Sequence, residues 1–451
     1  MNFYQDTIVA QSTAPGKGAI HIIRISGEDA ISVCDRIFRG HKFLKDTYSR
    51  YSSFGRIFDG DQLIDEVLAI VFRAPDSYTG EDLVEISCHG SQYIADLILA
   101  LLLRYIRLAE PGEFTQRAFI NNKLDLTQAE AVGDLLAAST KHSHAIAVNQ
   151  LEGKLKKKIK ACLDIITDLR LKLELEIDFP EDFVESISYE ELVEKVNLLS
   201  KELEILVASG RDGMILRMGC KVCLVGKPNV GKSSIFNAFL ESERAIVTPV
   251  PGTTRDYLEE AISLEGFLII FYDTAGLRET ENQIEMLGMK RSLEIINRSD
   301  LVIYITDSLQ GDDDLSHLEA SVENYNIIKT INKTDILDME VITDYVNKGF
   351  IPCSTISPDG LNALKSHLIT RININPEKLD YPPLTNVRQI AAANKALSEL
   401  ERVHQALEQG ASIEFIAFDL QQVSQALEEI TGMITTEEIL DKIFSNFCLG
   451  K

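Results

Sequence analysis

The chain has 451 residues, enough for two to four domains with separate cores. Its 69 aspartates and glutamates outnumber 45 lysines and arginines, a formal net charge of −24, which argues against non-specific coating of nucleic acid without excluding a local RNA site. No apolar run reaches the about 18 residues of a membrane span, Met1–Asp6 lacks the regions of a secretion signal, and seven scattered cysteines suit reduced thiols, so a cytoplasmic protein is expected.

Residues 1–121 predict a mixed α/β domain. Strands are expected at Ala19–Ile25, Val67–Phe72 and Val84–Cys88, and a helix over Tyr93–Tyr105. Two segments, Ser77–Asp82 and Glu110–Thr115, mix glycine, carboxylates and an aromatic, as ordinary turns do and as a small-molecule rim would.

Residues 122–213 predict helices. Thr127-x-x-Glu130 reads as a capping box, and Leu151, Leu155, Ile159, Ile166, Leu169, Leu173 and Ile177 keep one face apolar up to the stop at Pro180. The opposite face carries Lys154, Lys156, Lys157, Lys158 and Lys160, which suits a solvated face or contact with RNA phosphates. A second helix, Tyr189–Ala208, is expected to end in a Gly210–Gly213 connection.

Residues 214–378 alternate strand and helix signals, as a parallel sheet with crossover helices requires. Cys220-x-x-Cys223, with no second ligand pair nearby, reads as strand packing. The apolar run Val222–Val225 then leads into Gly226-Lys227-Pro228-Asn229-Val230-Gly231-Lys232-Ser233-Ser234, followed by a helix-like run to Leu240. That is the strand–loop–helix setting of a phosphate loop, in which backbone N–H groups cradle phosphate oxygens, Lys232 reaches the β- and γ-phosphates and the Ser233 hydroxyl ligates Mg²⁺. Thr248-Pro249-Val250-Pro251-Gly252-Thr253-Thr254-Arg255-Asp256 suits a switch that closes on the γ-phosphate. Asp273-Thr274-Ala275-Gly276 puts a carboxylate at a strand tip, where it can hold a Mg²⁺-bound water. Asn332-Lys333-Thr334-Asp335 ends another apolar run; Asp335 can accept from both the ring N–H and the amine of guanine, a donor pair adenine lacks. Ser354-Thr355-Ile356 stands where a guanine-contacting loop belongs. The ordered set points to a GTPase. The water-positioning glutamine of Ras-like enzymes is replaced by Leu277, so another group must assist hydrolysis.

After the Tyr381-Pro382-Pro383 linker, residues 379–451 return to helical periodicity. Leu397, Leu400, Val403 and Leu407 recur, then Leu420, Val423, Leu427 and Ile430, and Thr435-x-x-Glu438 reads as the cap of a last helix. Two helical blocks flanking the nucleotide domain predict one discontinuous helical domain with a Ras-like P-loop domain inserted, behind an α/β N-terminal domain.

The chain resembles the MnmE (TrmE) family of tRNA-modification GTPases over essentially its whole length. The resemblance rests on Arg24-Ile25-Ser26-Gly27, Thr79-Gly80-Glu81-Asp82, Pro111-Gly112-Glu113-Phe114, Asn122-Lys123-Leu124-Asp125-Leu126, Gly252–Asp256, Asp273–Arg278 and the terminal Cys448-x-Gly450-Lys451. It implies a homodimer built on the N-terminal domain, which binds a formyl- or methylene-tetrahydrofolate. It also implies a flavin-carrying (FAD) partner, MnmG, giving a heterotetramer that adds an aminomethyl-type group, often carboxymethylaminomethyl, to carbon 5 of the wobble uridine of certain tRNAs. Carried onto matching positions, folate contacts fall on Arg24, Glu81, Lys123 and Lys451; Mg²⁺ on Ser233 and Thr254; and K⁺ on Asn229, Thr248, Val250 and Thr253. The catalytic carboxylate falls on Glu285, which the residues alone do not separate from Glu279 or Glu281, and Cys448 becomes the reactive-thiol candidate where an unused tail thiol is the plain reading. Gly450 is expected to act as a hinge that frees Lys451 to reach a ligand. Departures from the family pattern are Thr355, where alanine is usual, and Leu449, where isoleucine is common. The competing class is a GTPase switch in ribosome assembly or signalling, which needs neither the tail thiol nor the folate-matching loops.

Overall fold

The computed structural model describes residues 6–178, 188–246, 259–272, 296, 298–307, 326–357, 359–374 and 382–451. They form two compact units: Met1–Gly133 with Gln150–Leu203 and Ala391–Lys451, and Asp134–Asn149 with Glu204–Ile390.

The first unit is built on strands β1 (Ile8–Gln11), β2 (Ile20–Ser26), β3 (Phe38–Gly40), β4 (Ser52–Asp59), β5 (Gln62–Phe72), β6 (Leu83–His89) and β7 (Arg107–Leu108). Their order is β3-β4-β5-β6-β2-β1-β7, antiparallel except where β7 runs parallel to β1. In β5, Asp65, Val67, Ala69 and Val71 are buried while Glu66 and Leu68 are exposed, the alternation of a sheet covered on one face. Helices Ala30–Ile37 and Gln92–Leu102 cover it, packing Val33, Ile37, Ile98 and Leu102 on Val67, Val71 and Ile86.

The two helical blocks of this unit join as expected. Helix Lys154–Asp178 buries Leu155, Ile159, Cys162, Ile166, Leu169 and Leu173 and packs along helix Ile413–Thr431, which buries Leu420, Val423, Leu427 and Ile430. Its lysine face is a charged surface in which Lys158 pairs with Glu202 and Lys154 with Glu152. Leu151 belongs to a separate helix, Lys141–Leu151, set off by Gly153.

Two caps sit elsewhere than their sequence motifs suggest, and one expected turn runs into a helix. Helix Leu126–Ala137 is capped by Asp125, whose carboxylate accepts from Gln128 N (2.9 Å) and the Thr127 hydroxyl (2.7 Å), while Gln128 Oε1 accepts from Asp125 N (3.1 Å). The capping box is therefore Asp125-x-x-Gln128. Helix Glu437–Phe444 is capped by Thr436 rather than Thr435. The segment Glu110–Thr115 is a helix start: Glu113–Ile120 begins inside it and buries Glu113.

The second unit holds β8 (Cys220–Val225), β9 (Arg244–Ile246), β10 (Glu259–Leu264), β11 (Phe267–Tyr272), β12 (Leu301–Thr306), β13 (Asn326–Ile331) and β14 (Ile351–Pro352), in the order β14-β13-β12-β8-β11-β10-β9. The strands from β14 to β11 are parallel, and β10 and β9 form an antiparallel edge. All six residues of β12 are buried, as a parallel strand covered on both faces requires. Cys220 and Cys223 are packing residues of β8, and burial pushes the Cys223 thiol up to about 12. The expected Gly210–Gly213 connection is helix: Tyr189–Met218 runs straight through it. A Cβ on Gly213 would meet the Leu384 carbonyl oxygen at 2.0 Å, so the missing side chain admits a crossing chain. Among the described residues no helix is long and apolar enough to cross a membrane.

Candidate functional site

β8 has a parallel neighbour on each side, β12 and β11, so the loop after it opens at the switch point of the sheet, where open α/β folds bind ligands. Gly231 takes φ +100 as the cap of helix Lys232–Ser242, and a Cβ there would meet Asn332 Nδ2 at 2.1 Å. No other residue combines that backbone with that approach. Asn332 Nδ2 donates to Val230 O (2.9 Å), and Lys333 Nζ to Asn229 O (2.8 Å) and to the Asp307 carboxylate (2.5 Å). The guanine motif at the end of β13 thus fastens the phosphate loop at the end of β8. Lys232 Nζ lies back on the Gly226 and Lys227 carbonyls (2.7 and 2.8 Å), over the loop it would leave for a phosphate. Ser233 and Ser234 are exposed in the first turn of the helix, whose N-terminal dipole favours an anion.

The guanine-reading side is preset as well. Ser354 Oγ donates to Asp335 Oδ1 (2.6 Å), leaving the other carboxylate oxygen for a base. Thr334 Oγ1 donates to Cys353 O (2.9 Å), and the buried Cys353 thiol, pushed up to about 12 by desolvation, donates to Asn332 Oδ1 (3.4 Å). Thr355 is half-buried beside Ser354, in the loop whose Ser354 N donates to Gly360 O (3.2 Å). Asp307 escaped the sequence reading; its signal was a carboxylate directly after the apolar strand β12. Thr248, Pro249, Val250, Pro251, Gly252, Thr253, Thr254, Asp273, Thr274, Ala275, Gly276 and Glu285 lie outside the described residues.

In the first unit, Arg24, Glu81, Lys123 and Lys451 converge from distant parts of the chain. Arg24 on β2 pairs with Glu85 (2.8 Å) and lies 5.4 and 5.6 Å from the ring centroids of Tyr78 and Phe114. Its Nη1 donates to Gly450 O (3.4 Å). Glu81, just before β6, accepts from Ser26 Oγ (2.8 Å) and from Arg117 (3.1 and 3.2 Å). Lys123 Nζ donates to Pro75 O (2.9 Å), and its stem packs by Gly80.

Beneath Glu81 lies Arg117, 1% exposed, which also binds Glu113 (2.8 Å) and the Asp6 carboxylate (2.9 Å). Arg107 closes the network on Glu113 and Asp6 (2.6 and 2.5 Å). Burial alone would raise the Glu113 carboxyl, but the Arg107 guanidinium, the Glu110 N–H and Arg117 outweigh it and hold it below the usual range. Sequence reasoning missed Arg117, because nothing in its neighbourhood marks a guanidinium about to be fully buried.

The tail corrects one expectation. Gly450 is no free hinge: it takes φ +88, and a Cβ there would meet the Gln11 carbonyl oxygen at 2.3 Å. Ser12 Oγ donates to Gly450 O (3.2 Å) and Phe114 N to Lys451 O (3.2 Å). Cys448 is exposed at the start of this docked turn, whereas the other six cysteines are buried.

Two family models match the chain. Residues 7–123 match the family model described as GTP-binding protein TrmE N-terminus, and residues 126–448 match the MnmE helical domain. The chain is 40% identical to a protein named tRNA modification GTPase MnmE from Clostridioides difficile, with 100% of each chain covered. It is also 40% identical to the one from Streptococcus thermophilus (99% of this chain, 98% of that one) and 38% identical to that of Bacillus subtilis (99% and 100%). Matched by both models and over its full length by such relatives, the chain belongs to the MnmE (TrmE) family.

Proposed function

We propose that this chain is a GTP hydrolase acting in tRNA modification. The observation that carries the reading is the bonding of Asn332 and Lys333 to the phosphate loop, with Asp335 held ready by Ser354. Lys232 and the loop amides bind the β- and γ-phosphates, and Asp335 selects guanine. Ser233, exposed at the helix start, suits a hard cation, and with Thr254 it would hold Mg²⁺, which supplies charge neutralisation between the phosphates. Asn229, exposed with φ +66, would join Thr248, Val250 and Thr253 around K⁺, which supplies the positive charge an arginine finger gives elsewhere. Glu285 would orient the water in place of the glutamine that Leu277 replaces.

The finer chemistry is a proposal of the same kind. A one-carbon tetrahydrofolate would meet the Glu81 carboxylate with its pterin N–H edge and Arg24, Lys123 and Lys451 with its anionic tail. Support comes from the fixed, part-exposed Glu81 and the aromatic-flanked Arg24. Cys448 would be the thiol near the one-carbon unit. A second copy of the chain and a flavoprotein of the MnmG type would complete the assembly that modifies the wobble uridine. The four parts, 1–121, 122–213, 214–378 and 379–451, would then divide the work into folate binding, helical scaffold, GTPase, and scaffold with reactive tail.

The test is specific. Asp335→Asn should lower GTP affinity by roughly 10⁴-fold and move preference toward xanthosine nucleotides. Mass analysis of wobble uridines from a strain lacking the gene should show the modification missing. Equal binding of ATP and GTP by the wild type would sink the first half, and intact wobble uridines the second.

A further inference from the structure

The chain is strongly acidic, yet from Arg36 to Arg56 it carries six lysines and arginines against one carboxylate, Asp46. Arg36 and Arg39 are committed, stacked on Tyr105 and Phe58 (4.8 and 4.2 Å). His41, Lys42, Lys45 and Arg50 are exposed as well, with Lys45 Nζ over the Phe43 ring (5.1 Å) and Arg50 Nη2 donating to Asp76 O (3.3 Å). Among them stand four large aromatics: Tyr48 is 82% exposed, Tyr51 64%, Phe54 62% and Phe43 58%. His41, Lys42, Asp46, Tyr48, Tyr51 and Phe54 line a groove of about 620 Å³, within the size range of small-ligand and nucleotide sites.

These rings are not exposed by a slack loop. The Asp35 carboxylate accepts from Leu44 N (2.6 Å) and Lys45 N (3.1 Å). Arg73 Nη2 donates to the Lys45 and Thr47 carbonyls (2.7 and 3.4 Å), Arg50 N donates to Val71 O (2.6 Å), and Leu44 is fully buried. The segment is fixed from below by its backbone, and the rings are held out in advance, which lowers the ordering cost of whatever binds.

We propose that this groove binds an unpaired segment of RNA, its bases stacking on Tyr48, Tyr51 and Phe54 and its phosphates meeting Lys42, Lys45 and Arg50. The proposal rests on the reading that the macromolecular substrate is tRNA. Stacking on exposed rings needs bases with free faces, which a paired stem does not offer. Cations interleaved with tyrosines suit a polyanion better than a second protein, since the centres of protein interfaces are depleted of lysine.

The full-length chain is tested for binding to a short unstructured RNA, a fully paired RNA duplex of the same length, and whole tRNA, across a salt series. Tyr48→Ala and Tyr51→Ala should each weaken binding of the unstructured RNA roughly tenfold. Tyr48→Phe should keep it, because the ring remains. Lys42→Gln should flatten the salt dependence by about one phosphate contact. GTP hydrolysis, which uses none of these residues, should be unchanged and reports that each variant is folded. Wild-type affinity in the alanine variants, or equal binding of duplex and unstructured RNA, overturns the proposal. So does loss of self-association in those variants with RNA binding intact, which would make the face a contact between copies. Failure of the wild type to bind any tRNA would instead bring down the tRNA reading itself; tRNA binding that survives the alanine substitutions brings down only this face.

Discussion

Arg117 shows what one buried charge does in this protein. Its guanidinium is inaccessible and is shared by Glu113, Glu81 and Asp6, so it both anchors helix Glu113–Ile120 and sets the carboxylate of the proposed pterin site. Arg117→Met would keep the volume but leave the buried Glu113 to Arg107 and the Glu110 amide, and take the guanidinium from Glu81 and Asp6. Removing one partner of such a pair costs about 3–5 kcal/mol, to be read from denaturant unfolding of the N-terminal sheet. The acid limb follows from Glu113. Its folded carboxyl lies below the unfolded value of 4.5, so the stability it contributes is fully present above that value. That stability is lost as pH falls below 4.5 and through the lowered folded value. Glu113→Gln should flatten the loss, and an unchanged acid limb in that variant would place the sensitive group elsewhere. Lys333 makes the same point at the nucleotide site: the motif was legible, but Asp307 became its partner only when β12 and β13 paired.

Among elements, the tail is the clearest case of a role reversed by packing. A glycine next to the last residue reads as freedom, but Gly450 is required because its backbone lies against Gln11 with φ +88. Gly450→Ala should undock Leu449–Lys451. The Phe114 amide, which donates to Lys451 O, should then lose hydrogen-exchange protection while the rest of helix Glu113–Ile120 keeps its own. In the native chain a thiol reagent should label one cysteine quickly, Cys448, because the other six are buried, with Cys88 pushed up to about 11 by desolvation. Rapid labelling that survives Cys448→Ser would contradict this burial pattern. Caps behaved like the tail. Thr127-x-x-Glu130 and Asp125-x-x-Gln128 both satisfy the capping pattern in a string of letters, and the register was chosen by which residues the core admits. Thr127 is fully buried and its hydroxyl is spent donating to Asp125, so Asp125 is the residue that accepts from Gln128 N.

At the scale of the molecule, the two compact units have separate cores. One is centred on Ile303, Ile269 and Phe239 and the other on Ile23, Ile25 and Val67. Thermal unfolding should therefore show more than one transition. GTP at about 100 times its dissociation constant should stabilise only the transition of the P-loop unit, by about 2.7 kcal/mol. A uniform shift of every transition would show that the two cores unfold together.

The sequence alone determined the nucleotide chemistry, because a phosphate loop and a guanine motif consist of contiguous residues whose backbone and side chains act within a few positions of each other. It also determined the discontinuous helical domain, since apolar stripes of the same period on either side of an insert must find each other to be buried. Tertiary structure decided whatever depends on residues far apart in the chain: Arg117 beneath Glu81, Asp307 on Lys333, the tail against Gln11, and Leu384 crossing at Gly213. In each, a side chain's role is set by what is brought within a few ångströms of it, and that distance is not a property of its neighbours in sequence.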